Sequence, residues 1–245
     1  MILSYRYLGA FVLLLGLVPT AWAQGTSNIV SFSSGYSVAL GKFASEQLND
    51  PEAGLAGPGF FAQLSYERKF LPWLGLRLSG SLNINQTNPD PVIRQYSVLL
   101  PQPETYTWTT DVTQWRLGTV MAGPSGYLQV GRVGLEGHAQ VGLVLAESPG
   151  LNVVGTSSTG RNPVDARVAK SSANALGIGA GASVRIPITE RLRFQLTGDW
   201  VAASIQLKDV PTYTKVGDNG PFEGLISPKR FVGVLNVGAG LAVTF

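Results

Sequence analysis

Cysteine is absent from the 245 residues. That removes disulfides, thiolate catalysis and Cys-ligated zinc. Charge is scarce as well: Asp, Glu, Lys and Arg make up 13% of the chain, against about 25% in an ordinary soluble domain. So few charges cannot cover a normal wetted surface. The balance of +3 is small and the sequence has no Lys/Arg run, so nothing predicts nucleic-acid binding. After residue 24 no long apolar run occurs, and no transmembrane helix is predicted there. What is abundant is glycine, 30 residues, and apolar side chains, 44%, the latter set out in alternation rather than in runs.

The opening stretch MILSYRYLGAFVLLLGLVPTAWAQ has the layout of a secretory signal. It has one basic residue (Arg6), an apolar run from Leu8 to Val18, then Pro19 and the small-x-small end Ala21-Trp22-Ala23. Cleavage is expected after Ala23, giving a signal peptide over residues 1–23 and a mature chain over 24–245. The run is short for a spanning helix, which needs about 18 residues or more. No Cys follows the cleavage site, so a lipid anchor is excluded. An exported, charge-poor chain without spanning helices is either a periplasmic or secreted β domain or an outer-membrane barrel.

Eight segments alternate apolar and small or polar residues: 30–40, 60–70, 74–85, 114–121, 135–145, 176–188, 192–200 and 235–245. The fourth is expected to run to about Val130, with a bulge near Gly123-Pro124. In the last, Leu235, Val237, Ala239, Leu241, Val243 and Phe245 oppose Asn236, Gly238, Gly240, Ala242 and Thr244. In the fourth, Trp115, Leu117 and Met121 are set against Gln114, Arg116 and Gly118. Tight connections at Leu71-Pro72-Trp73, Val130-Gly131-Arg132 and Thr189-Glu190-Arg191 alternate with long ones near 45–57, 86–112, 147–172 and 209–228. A soluble core would leave the non-apolar face in water, where Lys, Glu and Asp should abound. That face carries Gly, Ser, Asn and Gln instead, which suits a narrow interior. The apolar stripe therefore points outward. The fold class expected is all-β, an eight-stranded antiparallel up-and-down transmembrane β-barrel, with both ends at the short-turn side.

The leader, eight amphipathic strands, alternating turn lengths and the terminal Val243-Thr244-Phe245 resemble the small outer-membrane β-barrel family of Gram-negative bacteria. Within it the chain is most similar to porT-like and OmpA/OmpW-like barrels. The resemblance implies residence among outer-membrane lipids and recognition of Leu241, Val243 and Phe245 by the barrel-assembly machinery.

Inward-facing charges are the informative positions. Glu67, Lys69, Arg77, Glu136, Arg185 and Arg193 are expected near the short-turn end, with Arg116, Asp199 and Arg230 farther up. Buried charges must pair, so a salt-bridged plug closing the lower lumen is expected, Glu67 meeting Arg77 across its hairpin. The single histidine, His138, would need a placed nucleophile to act as a general base beside Glu136. No histidine–serine motif is visible, so a hydrogen-bonded lumen role is expected. Gly177-Ile178-Gly179-Ala180-Gly181-Ala182 fits G-x-G-x-x-A formally, but it lies inside a strand, where close packing explains the glycines better. Tyr36, Tyr66, Trp73, Trp115 and Trp200 are expected at lipid-facing or interfacial positions. No catalytic, metal or cofactor residue is assigned, and no enzyme activity is expected. The function expected is a structural or binding scaffold acting through the outer loops, which could meet a protein or surface partner. A narrow channel or transporter for small or hydrophobic solutes and a lipid-modifying enzyme are the alternatives.

Overall fold

The structure, a computed structural model, describes residues 27–100, 105–160, 162–218 and 220–245. The expected signal peptide lies outside the described residues. The elements in chain order are β1 (Asn28–Ala39), a 3-10 turn (Gly41–Phe43), β2 (Ala56–Leu71), β3 (Leu74–Thr87), α1 (Asp90–Leu99), β4 (Tyr106–Val112), β5 (Trp115–Val130), β6 (Val133–Ser148), β7 (Leu151–Ser157), β8 (Val164–Val168), β9 (Ser171–Pro187), β10 (Leu192–Gln206), β11 (Val210–Val216), β12 (Phe222–Ile226) and β13 (Lys229–Thr244).

Eight of these, β1, β2, β3, β5, β6, β9, β10 and β13, form a closed antiparallel ring in which each strand pairs with the next long strand and β13 returns to β1. The seam is complete. Asn28 N–H donates to Phe245 O at 2.9 Å, and Phe245 N–H donates to Asn28 O at 3.0 Å. Closure leaves no unpaired edge in the barrel. The barrel strands have 12 to 17 residues, more than the roughly 9–11 a tilted strand needs to cross a bilayer.

Alternation decides the faces. Phe32, Phe60, Leu82, Leu143, Ile178, Phe194 and Leu241 point outward and are exposed. Ser33, Gln63, Ser81, Gln140, Ser183, Gln195 and Asn236 point inward and are buried. A soluble sandwich would show the reverse. An apolar exterior around a polar interior is the arrangement of a membrane-spanning barrel.

The three tight turns fall where expected. Gly131, at φ +61°, takes a left-handed conformation that glycine adopts without steric cost, and it sets Val130 opposite Val133. The bulge expected at Gly123-Pro124 is not found. The β5–β6 register is the same on both sides of that dipeptide, Ala122 opposite Val141 and Ser125 opposite His138. Pro124 pairs in register with Leu76 of β3. Lacking an N–H, proline interrupts ladder bonding without adding a residue to the strand.

The long connections are structured. β4, β7, β8, β11 and β12 continue five of the barrel strands beyond the ring and pair into a second sheet, ordered β12-β11-β8-β7-β4. On the remaining side stand the 3-10 turn and α1. The segment 86–112 thus supplies a helix and an edge strand. Proline near the helix start is compatible with helix geometry because the first N–H groups have no intrahelical partner.

Candidate functional site

The lumen changes chemistry with depth. Nearest the short turns lies an ionic layer. Glu67 of β2 and Arg77 of β3 are register partners across a hairpin, and Arg77 Nη1 donates to Glu67 Oε1 at 2.7 Å. Arg185 of β9 reaches across to the same carboxylate, its Nη1 and Nη2 donating at 2.8 and 2.5 Å. The Tyr127 hydroxyl adds a donor at 3.0 Å, so a carboxylate with 0% exposure accepts from three residues. Arg185 Nε donates to Gln195 Oε1 at 2.8 Å, and Gln195 Nε2 donates to Ser33 Oγ at 3.2 Å.

Glu136 of β6 joins through Arg77 Nη1 at 3.5 Å. It accepts the Ser183 hydroxyl at 2.8 Å and bonds His138 Nδ1 at 2.9 Å. His138 Nε2 sits 2.9 Å from Asp199 Oδ1. Arg77 Nη2 lies 4.0 Å from the same oxygen. The Thr197 hydroxyl donates to the other Asp199 oxygen at 2.6 Å. Two guanidiniums face three carboxylates here. The His138 ring lies between two of these acids, Glu136 and Asp199. Packing fixes this arrangement: a Cβ at Gly181 would collide with Asp199 Oδ1 and the His138 ring.

Above lies a neutral layer. Asn83 Nδ2 donates to Asn236 Oδ1 at 2.5 Å and to Ser37 Oγ at 2.9 Å. Ser81 and Thr119 share a hydroxyl bond of 2.8 Å. The void in this layer is about 10 Å³, roughly the size needed for one water. The outermost layer is apolar. Trp115, Leu117, Phe43, Ile205, Val232 and Val234 form one buried cluster. Phe43 meets Trp115 edge-on at 5.2 Å, and Trp115 Nε1 donates to Gly54 O at 2.8 Å.

Two expected positions are corrected by this layer. Trp115 does not face lipid; it is 2% exposed and fills the lumen. Arg116 does not belong to the lumen charges; it points outward, opposite Glu147 of β6. The upper lumen is plugged by apolar side chains, so in β5 the larger apolar residues face inward and the outer face is carried by Gly118, Val120 and Ala122.

The other expected residues divide by place. Glu67, Arg77, Glu136, His138, Arg185 and Asp199 come together. Lys69 and Arg193 lie half-buried at the short-turn rim, Lys69 with its ammonium 4.1 Å from the Tyr127 ring centroid. Arg230 stands at the outer mouth and donates from Nη1 to Pro51 O. Tyr36 is exposed and packs on Phe60 at 5.2 Å. Trp73 and Phe245 are exposed at the short-turn rim. Tyr66 and Trp200 face outward half-buried, with the Tyr66 hydroxyl donating to Asn28 Oδ1 at 2.9 Å. Leu241 and Val243 are exposed on the outer side of β13. Sequence alternation puts Ser183 and Gln195 on the inner face but gives them no part in the ionic layer, and it does not place Tyr127. Counting pairs back from the two-residue turn at Gly131-Arg132 would have put Tyr127 beside Glu136 on the inner face.

Over the apolar plug opens a cup of about 300 Å³. Trp115, Leu207 and Leu55 line its base, Val168, Thr214 and Ile226 its sheet wall, and Val92 and Tyr96 its helix wall. On the opposite face of the outer sheet, Asp111, Asn152, Arg167, Tyr213 and Glu223 stand in one cross-strand row. Arg167 Nε and Nη2 donate to the two Asp165 oxygens at 2.8 and 2.6 Å. That bonding raises the Arg167 pKa, chiefly through its hydrogen bond to Asp165.

No family model and no curated relative matches the chain. Among solved structures it is similar to Neisserial surface protein A (12% identity, 91% of this chain and 100% of that one, TM-score 0.46). It is also similar to a major outer membrane protein from Thermus thermophilus (13%, 91% and 100%, TM-score 0.45). A third is Ail, the attachment invasion locus protein of Yersinia pestis (14%, 90% and 97%, TM-score 0.39). Likeness at this level says nothing of site or activity. The fold rests on the closed ring and its two faces.

Proposed function

We propose that this chain is an exported outer-membrane barrel whose lumen is sealed, and that it works as a structural or binding scaffold through its outer cup and sheet. The observation that carries this reading is the double closure. A buried ionic layer around Glu67, Arg77 and Arg185 lies beneath a buried apolar layer around Trp115 and Phe43. A narrow channel would need a wetted path past both. A histidine-based enzyme would need an imidazole nitrogen free to activate a hydroxyl. His138 Nδ1 is bonded to Glu136 and Nε2 faces Asp199, and its side chain is almost fully buried. The five strands carried beyond the ring are the surface left for recognition. In planar bilayers the purified protein should give no steady ion conductance. Reproducible single-channel steps from the folded, heat-modifiable form would contradict the sealed-lumen reading.

Assembly is part of the same proposal. Leu241, Val243 and Phe245 lie on one outward stripe at the barrel seam, open to the machinery that inserts such strands. Phe245→Ala should lower the yield of folded barrel on proteoliposomes carrying that machinery, while refolding of the same variant into detergent should stay close to normal. Equal loss in both settings would make Phe245 a packing residue alone.

A further inference from the structure

The outer cup holds a cation, Arg230, with no ion-pair partner among the described residues. Arg230 points to the inner side of β13, on the same face as Val232 and Val234, and lines the cup. Its Nη1 donates to the Pro51 carbonyl. That leaves further donors in the guanidinium fork. No carboxylate among the described residues lies within ion-pair distance of it. Asp50 attracts it from farther away but is itself 4.0 Å from Lys42 Nζ. Arg167 also borders the cup, but its guanidinium is on the opposite face of the sheet, where it holds both oxygens of Asp165. Among the described residues no Asp or Glu lines the cup. Apart from Asn88, whose amide donates to Glu46 at 2.8 Å, the rest of the surface is mostly apolar or hydroxylic, with Trp115 beneath it.

A concave apolar cavity with one placed cation is complementary to an apolar chain ending in one negative charge. At about 300 Å³ the cup is at the small end of ligand cavities, which run from roughly 300 to 1,000 Å³. We propose that the cup binds a short- to medium-chain alkyl carboxylate, its chain over the Trp115 plug and its head group on Arg230. This deepens the scaffold reading and rests on it: the sealed lumen makes the cup a dead-end site rather than the mouth of a path.

The test uses the full barrel in lipid nanodiscs, titrated calorimetrically with octanoate, decanoate and octanol against empty nanodiscs. Saturable one-site binding is expected, with decanoate about tenfold tighter than octanoate, from two further buried methylenes. Arg230→Gln should weaken both carboxylates by about tenfold to a hundredfold and octanol by much less, while Arg230→Lys keeps most of the affinity. Thr214→Trp, which fills the cup from its sheet wall, should weaken all three. Heat-modifiable migration confirms that each variant is folded. Binding no greater than to empty nanodiscs overturns the proposal. So does saturable binding unmoved by both Arg230→Gln and Thr214→Trp. Conductance of the same preparation keeps the two readings apart. A silent barrel that ignores octanoate removes the ligand alone, whereas a conducting barrel removes the sealed scaffold.

Discussion

Glu67 shows why the lower lumen is ordered. It is fully buried, carries a charge, and accepts from Arg77, Arg185 and Tyr127. Desolvating an ion costs several kcal/mol, and only close opposite charges with further hydrogen bonds offset it. Removing this one carboxylate strands the buried Arg185 guanidinium and leaves Arg77 with only its longer contacts to Glu136 and Asp199. Glu67→Gln should therefore destabilise the folded barrel by about 3–5 kcal/mol, read as a lower urea midpoint for unfolding from lipid vesicles. An unchanged midpoint would mean that water reaches Arg77 and Arg185. The sequence showed the Glu67–Arg77 hairpin pair directly, because a tight turn fixes which residues face each other. Arg185 comes from a strand on the far side of the ring, and its choice of Glu67 over Glu136 depends on barrel closure, which no local spacing encodes.

At the scale of the element, β5 is where the sequence pattern and the fold part. Most barrel strands put their larger apolar residues toward lipid, and the expected apolar stripes outside β5 face outward as the alternation indicates. In β5 both faces are largely apolar over Leu117–Ala122, with Thr119 the one polar side chain, so alternation alone has little to decide with. Size was the wrong guide, since Trp115, Leu117 and Met121 fill the lumen. The turn at Gly131-Arg132 carries the missing information. It sets Val120 opposite Leu143 and Gly118 opposite Leu145, and both leucines lie on the outer stripe. A register slip of one residue would exchange the two faces of the whole strand. The outer sheet was less legible still. Its strands are five to seven residues long, and they are held by pairing with one another across the mouth, a non-local arrangement. The β5 orientation has a simple check. Trp115→Ala should cost about 3–5 kcal/mol by emptying the plug, and Arg116→Ala should stay within about 0.5 kcal/mol as an outward, non-core change. The opposite ranking in the same unfolding assay would restore Arg116 to the lumen.

For the whole molecule, one inversion governs everything else. Polar and ionic groups fill the lower and middle lumen, most of them bonded to one another, and an apolar belt covers the outside. In water this would expose a continuous oily belt around eight strands, from Phe32 and Phe60 to Leu176 and Val237. Hydrocarbon removes that cost, and the closed ladder leaves no barrel edge unpaired within it. Composition already pointed this way, since a chain with 13% charge has too few ionic groups to wet such a surface. The measurement that bears on this most directly is spin-label accessibility along β5 in lipid vesicles, with single cysteines at Thr119, Val120, Met121 and Ala122. Labels at Val120 and Ala122 should collide freely with oxygen and hardly at all with a water-soluble nickel reagent, while those at Thr119 and Met121 should be shielded from both. Strong nickel collisions at Val120 and Ala122 would show water where the account puts lipid.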